Sequence, residues 1–181
     1  MNELVKKTIQ HFYVNGNENE YLSRCENRVE LPKELTVFIN NACIQTIPFY
    51  NDDIWPSEKF IFKFAPYRKD NLQINYNSTV LISKLAPVFY LQHEFSVDCP
   101  DDTSLISTLD GDSTQAYTIQ QLEFEQQVIQ SLISNNYTQL SYAEVNEVVM
   151  DLKFPEGVTF FGPQVTVEYA MFHDVLDLCP E

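Results

Sequence analysis

The residues best suited to chemistry in this chain lie close together, where His93 and Glu94 precede several aspartates. Imidazole and carboxylate groups are common general acids and bases, and carboxylate oxygens are also the ligands that hard divalent cations prefer. The nearest aspartates are Asp98, Asp101 and Asp102. This segment therefore allows two interpretations: a metal-dependent or hydrolytic enzyme that uses His93, Glu94 and the aspartates, or an acidic surface that binds a partner.

The catalytic interpretation lacks the supporting residues that it needs. No second His or Cys lies beside His93 at metal-ligand spacing, and the ordered pattern of a calcium-binding loop is missing. No serine lies in a Gly-x-Ser-x-Gly elbow, and the four glycines form no phosphate-binding loop. A half-buried structural histidine beside a solvated acidic loop is the simpler interpretation, so we predict no catalytic residue, no metal and no cofactor.

Two short segments resemble the halves of the PD-(D/E)xK nuclease signature, in which carboxylates hold a metal and a lysine assists the attacking water. They are Pro100-Asp101 and Asp151-Leu152-Lys153. A nuclease must also meet phosphate groups with basic side chains. Residues 85–181 contain only one basic residue, Lys153, which favours a binding function over a nuclease.

Charge is divided unequally along the chain. Residues 1–84 hold ten acidic and ten basic residues, whereas residues 85–181 hold sixteen acidic residues and one basic residue, so the second half carries the whole net charge of -15. Such a charge repels nucleic acid and anionic membranes, and it steers a basic protein towards its binding site. Acidity for solubility explains the net charge, but it does not explain its confinement to one half. We therefore predict a basic protein as the partner, with no nucleic acid and no membrane.

The composition is typical of a single folded domain. The chain has 181 residues, of which 44% are hydrophobic and 13% aromatic, and this is well above the hydrophobicity of disordered proteins. No apolar run is long enough to span a bilayer, and the first residues do not resemble a signal peptide. We expect one cytoplasmic domain over residues 1–181, with a neutral half (1–84) and an acidic half (85–181).

Apolar spacing predicts four helices. They are expected over residues 2–14, from Thr118 to residues 135–136, in a short segment after Ser141 that holds Val145, Val148 and Val149, and from Thr166 onwards. Thr118 with Gln121, and Ser141 with Glu144, have the spacing of a capping box. Residues 18–30 are expected to form a solvated helix or loop, and residues 31–39 a helix or a strand.

A period of two predicts a sheet between these helices. Strands are expected near residues 60–64, 72–76, 79–83 and 88–97, with a tight turn at Asn77-Ser78 and an acidic loop over residues 98–116. In the last strand His93 faces the core and Glu94 faces away. The fold class is therefore predicted to be α+β, an antiparallel meander sheet covered on one face by N- and C-terminal helices.

The predicted partner-binding surface combines carboxylates with two aromatic side chains. It consists of Glu94, Asp98, Asp101, Asp102, Asp110, Asp112, Glu123, Phe160 and Phe161. Aromatic anchors ringed by acids are typical of interface hot spots, although a Phe-Phe pair beside a turn is also typical of a core.

In general character the chain resembles the immunity proteins of bacterial toxin systems, including contact-dependent inhibition and other polymorphic toxins. The shared features are small size, acidity, abundant aromatic residues and the lack of a catalytic motif, and no diagnostic motif is involved. The resemblance implies a protein that binds a cognate toxin domain, commonly a basic nuclease, and covers its active site or substrate groove. A further alternative is a phage-type nucleic-acid mimic, which would inhibit many unrelated DNA-binding proteins.

Overall fold

The structure, a computed structural model, describes residues 1–47, 55–98, 109–150, 152–154 and 164–174. The helices are α1 (Glu3–Ile9), α2 (Glu18–Cys25), α3 (Lys33–Asn41), α4 (Ile119–Ser134), α5 (Tyr142–Val145) and α6 (Val167–Phe172), and a π-helical turn (Gln10–Val14) extends α1. The strands are β1 (Gln45–Ile47), β2 (Ser57–Lys63), β3 (Tyr67–Lys69), β4 (Leu72–Ser83), β5 (Val88–Asp98), β6 (Leu109–Ser113) and β7 (Thr138–Gln139). Within these ranges, the helices are too short or too polar to cross a membrane.

The strands form one sheet in the order β1-β2-β4-β5-β6. Its centre is the antiparallel pair β4 and β5, which runs from the Ile82–Phe89 partners to the Gln73–Asp98 partners. On the outer side of β4, β2 and β3 pair with consecutive parts of that strand, and on the outer side of β5 lie β6 and the short parallel strand β7. The predicted α+β class and antiparallel sheet are confirmed, and the strand order is roughly that of a meander.

Both faces of the sheet carry hydrophobic clusters at one end. Val80 and Leu91 pack with α3 and α4 around Phe124. Leu81 and Tyr90 alternate with them along their strands and pack with α1, α2, α5 and α6 on the other face. Helices from both ends of the chain therefore cover the sheet, but the prediction that they cover a single face is wrong, because they are divided between its two faces.

Local signals set the starts of the C-terminal helices as predicted. The Thr118 hydroxyl accepts a hydrogen bond from the Gln121 backbone N–H at the start of α4, and Ser141 forms a complete capping box with Glu144 in α5. Residues 31–39 contain α3 and no strand, because Pro32 leads directly into its first turn.

Two sequence predictions within the sheet are wrong. Asn77-Ser78 is not a turn, since β4 continues through both residues, and the tight turn is Asp70-Asn71, where Asp70 has a left-handed φ of 52°. Residues 98–116 are not entirely a loop, because Leu109–Ser113 forms strand β6 against β5. Gly111 makes this pairing possible, since any Cβ at that position would overlap the Phe95 ring.

α5 is also shorter than predicted. It ends at Val145, before the valines Val148 and Val149 that were expected to continue it. Val148 instead forms an isolated antiparallel bridge with Thr166, and the Val149 N–H donates to the Val165 carbonyl. Long-range backbone pairing has therefore replaced the next helical turn.

Candidate functional site: an acidic face of the sheet

Strand alternation brings four of the predicted acids onto one face of the sheet. Successive side chains of a strand point to opposite faces, so Glu94 and Asp98 on β5 share a face. The register with β6 places Asp112 opposite Glu94 and Asp110 opposite Ser96, on that same face. We call the surface formed by Glu94, Asp98, Asp110 and Asp112 the acidic face.

Neutral donors hold two of these carboxylates in place. Thr79 Oγ1 donates to Glu94 Oε1 over 2.9 Å, and Asn75 Nδ2 donates to Asp98 Oδ2 over 2.7 Å. In the part of the chain that the structure describes, none of the four acids takes part in an ion pair. Hydroxyl and amide donors orient a carboxylate without neutralising it. Two of the four carboxylates of the acidic face, Glu94 and Asp98, are therefore held in fixed positions.

On this face of the sheet, basic and acidic residues lie on different strands. Lys63 lies on β2 and Arg68 on β3, and both pair with β4 residues that separate them from β5. Neighbouring strands lie about 4.8 Å apart, so the cationic side and the acidic side are separated by roughly two strand spacings. The acidic side contains an open concavity of ≈ 390 Å³, lined by Glu94, Asp110 and Asp112 together with uncharged residues that include Phe95. This concavity is a suitable place for cationic groups from outside the chain.

The remaining predicted site residues do not join the acidic face. Glu123 is exposed on α4, whose buried residues pack over the opposite face of the sheet. Asp101, Asp102, Phe160 and Phe161 lie outside the described residues.

His93 and Glu94 cannot act on a common substrate, because they point to opposite faces of β5. His93 is fully buried; its Nδ1 lies 2.7 Å from Ser78 Oγ and its Nε2 lies 3.6 Å from Glu125 Oε2. Serine, histidine and glutamate are the residue types of a hydrolytic triad. Ser78 is also fully buried, however, so no substrate can reach its hydroxyl. Ser78 and His93 therefore have a structural role in the sheet.

Burial determines the charge states in this group. Loss of hydration lowers the pKa of His93 from 6.5 to about 4, so its imidazole is neutral at pH 7. Burial also raises the pKa of the Glu125 carboxyl. His93 Nε2 has no hydrogen-bond partner, and a neutral ring does not balance the charge of Glu125.

The described residues offer no metal centre. Nowhere in those ranges do three or more His, Cys, Asp or Glu side chains converge as metal ligands. Of the segments that resemble the nuclease signature, Asp101 and Asp151 lie outside the described ranges, and Lys153 is exposed in a stretch without regular secondary structure.

Sequence reasoning did not identify Glu125, and it assigned Gln121 only a capping role. Gln121 is buried on α4, and its side-chain amide donates to the Asn77 carbonyl over 2.7 Å. Glu125 follows one turn later, beside Phe124 and Val128 on the buried side of the helix. The sequence did contain a signal for Glu125: it is an acid next to the apolar stripe of an amphipathic helix, and residues at such positions face the protein.

Comparison of the chain with known protein families, with curated proteins and with solved structures finds no match. The charge, burial and geometry of the chain's own residues are therefore the basis for assigning it a function.

Proposed function

We propose that this chain is a non-enzymatic, cytoplasmic binding protein that neutralises a cationic protein partner. The specific form that we favour is an immunity protein that blocks a cognate bacterial toxin domain of the nuclease type. The observation that supports this proposal is the acidic face, where four carboxylates lie together without a cation among the described residues. A nuclease domain meets its phosphate substrate with Lys and Arg side chains, and these are the groups that an acidic face attracts.

The fixed geometry of the acidic face supports a specific complex. The donors on Thr79 and Asn75 hold Glu94 and Asp98 before any partner arrives. A pre-oriented charge loses less side-chain entropy when it binds, and its long-range field raises the association rate. Capture of one partner at high speed is what an immunity protein must achieve inside a cell that also makes the toxin.

The direct test is to capture partners from a lysate of the source organism at low salt, using the purified chain as bait. We expect a basic protein that is toxic when it is expressed alone and harmless when this chain is co-expressed. Its association rate should fall steeply as salt rises from about 0.05 to 0.5 M, since the screening length shrinks from above 10 Å to below 5 Å.

A matched pair of variants separates the acidic face from net charge. Asp110→Asn with Asp112→Asn should slow association by roughly three- to tenfold at low salt, because steering by local charge is lost. Glu26→Gln with Glu34→Gln changes the net charge equally at exposed positions on other elements and should have a smaller effect. Equal effects from the two pairs would assign the binding to net charge alone, and recovery of no basic protein would contradict the proposal. Inhibition of many unrelated nucleases would indicate a nucleic-acid mimic instead.

A further inference from the structure

A second surface lies on the α4 side of β5, away from the acidic face. Two open concavities meet there and share Thr114 and Glu125 in their walls. One, of ≈ 490 Å³, lies between residues 114–119 and α4, and the other, of ≈ 320 Å³, extends to α5. We call the two together the Glu125 groove.

Glu125 is a carboxylate without a balancing cation at the centre of this groove. Its side chain is only 20% exposed, and its one ion-pair neighbour in the described ranges is His93. That histidine is neutral at pH 7, because burial lowers its pKa to about 4. A partly desolvated carboxylate favours an incoming positive charge more than a fully hydrated one does, since it has already lost water.

A second polar group with incomplete hydrogen bonding, His93, lies behind Glu125. His93 is fully buried, and its Nε2 has no hydrogen-bond partner. The nearest acidic atom is Glu125 Oε2 at 3.6 Å, which is beyond hydrogen-bond length. Unpartnered buried polar atoms are rare in folded proteins, so the polar surroundings of this nitrogen, and of the Glu125 carboxylate beside it, are incomplete. A cation bound to the Glu125 carboxylate would fix the position of Oε2. Because His93 Nε2 lies beside that oxygen, its polar surroundings would be fixed as well.

The rim of the groove is aromatic and acidic. Tyr117 and Tyr142 are exposed, and Tyr117 is held by an edge contact with Phe95 at a centroid distance of 4.9 Å. Near Tyr142 lies Glu144, whose carboxylate accepts hydrogen bonds from Ser141, and these bonds lower the pKa of Glu144 and keep it ionised. Tyrosine faces attract cations, and an ionised acid at the rim adds to this attraction.

We propose that the Glu125 groove receives one arginine side chain of the cationic partner, with the Glu125 carboxylate as its counter-ion and Tyr117 and Tyr142 beside its stem. This inference rests on the proposed function, because the arginine belongs to that basic protein. Arginine fits better than lysine, since its guanidinium is planar, is weakly hydrated and stacks on aromatic rings. The partner then reaches both faces of the sheet around the β6 edge. The acidic face attracts it over a long range, and the arginine in the groove anchors it.

The test uses N-acetyl-arginine amide as the probe and N-acetyl-citrulline amide, its uncharged analogue, as the control. Each is titrated into the full chain and followed by two-dimensional NMR of the backbone amides. The arginine compound should produce saturable shifts at Thr114, Leu122 and Glu125, and the citrulline compound should not. It should also lower the titration midpoint of the Glu125 carboxyl, because a ligand that prefers the ionised form must favour proton loss.

Two variants on α4 make the test specific. Glu125→Gln should abolish the arginine shifts, while Glu123→Gln, which removes the same charge from an exposed position of the same helix, should keep them. Equal shifts with arginine and citrulline, no shifts with arginine, or arginine shifts that persist in Glu125→Gln would each overturn the proposal. If Glu125→Gln fails to fold, the comparison of arginine with citrulline on the unmodified chain still decides it.

The arginine titration, together with the dissociation rate of a captured partner, distinguishes failure of the groove from failure of the proposed function. Arginine binding that depends on Glu125 supports the groove even if no basic protein is captured from the lysate. A captured basic partner whose dissociation rate is unchanged by Glu125→Gln would reject the groove and leave the acidic face as the binding surface.

Discussion

The buried histidine makes the stability of this protein depend on pH in a direction that can be measured. In the folded chain burial lowers the pKa of His93 to about 4, whereas in the unfolded chain the group has its ordinary pKa of 6.5. As the pH falls below 6.5, the unfolded chain therefore binds a proton before the folded chain does. Stability is fully present above about pH 6.5 and is lost as the pH falls towards about 4.

The size of the effect follows from the interval between the two pKa values. Each pKa unit corresponds to about 1.4 kcal/mol, so full protonation of His93 costs about 3 kcal/mol. Between pH 7.5 and pH 5 the linkage relation gives a loss of about 2 kcal/mol, which is a large fraction of the stability of an ordinary domain. Glu125 acts in the opposite direction, because burial raises the pKa of its carboxyl and protonation at low pH then favours the folded state.

The measurement is urea unfolding followed by the fluorescence of Trp55, the single tryptophan, at several pH values from 7.5 to 5. The lower limit keeps the protein away from its isoelectric point near 4.4. His93→Asn removes the titrating group while keeping a polar atom near Ser78, so its stability should fall by about 2 kcal/mol less than that of the parent over this range. The difference between the two curves isolates His93, because Glu125 is present in both.

Parallel stability curves for the parent and His93→Asn from pH 7.5 to 5 would refute the reasoning. They would mean that His93 gains a proton as easily in the folded chain as in the unfolded one, and hence that water reaches its ring.

Two further predictions concern the elements that carry the two surfaces. Gly111→Ala should destabilise the fold by about 1–3 kcal/mol, because the added Cβ overlaps the Phe95 ring, and adding Phe95→Leu should recover part of that loss. A Gly111→Ala variant as stable as the parent would show that β6 does not pair with β5 in this register. Thr118→Ala should lower the free energy of unfolding by about 1 kcal/mol, because it removes the hydroxyl that caps α4. The control Thr36→Ala, at an exposed position of α3, should lower it by less, and equal losses from the two variants would contradict the capping role of Thr118.

Much of the local structure was determined by the sequence alone. Helix starts depend on residues three positions apart, so Thr118 with Gln121 and Ser141 with Glu144 predicted them correctly. The period of two in β5 likewise predicted that His93 faces inwards and Glu94 outwards. Charge counts predicted an acidic half, because net charge needs no geometry.

Only the tertiary structure decided which distant residues meet. Strand β6 is a short polar segment around Gly111, and it is stable only because β5 supplies the opposite half of its hydrogen bonds, so no local pattern indicated it. The same pairing places Asp110 and Asp112 beside Glu94. The meeting of His93 with Glu125 depends on α4 packing across β5, since the two residues belong to separate elements. Sequence reveals the period and charge of each segment, whereas register and packing, which depend on contacts between distant segments, decide what those charges face.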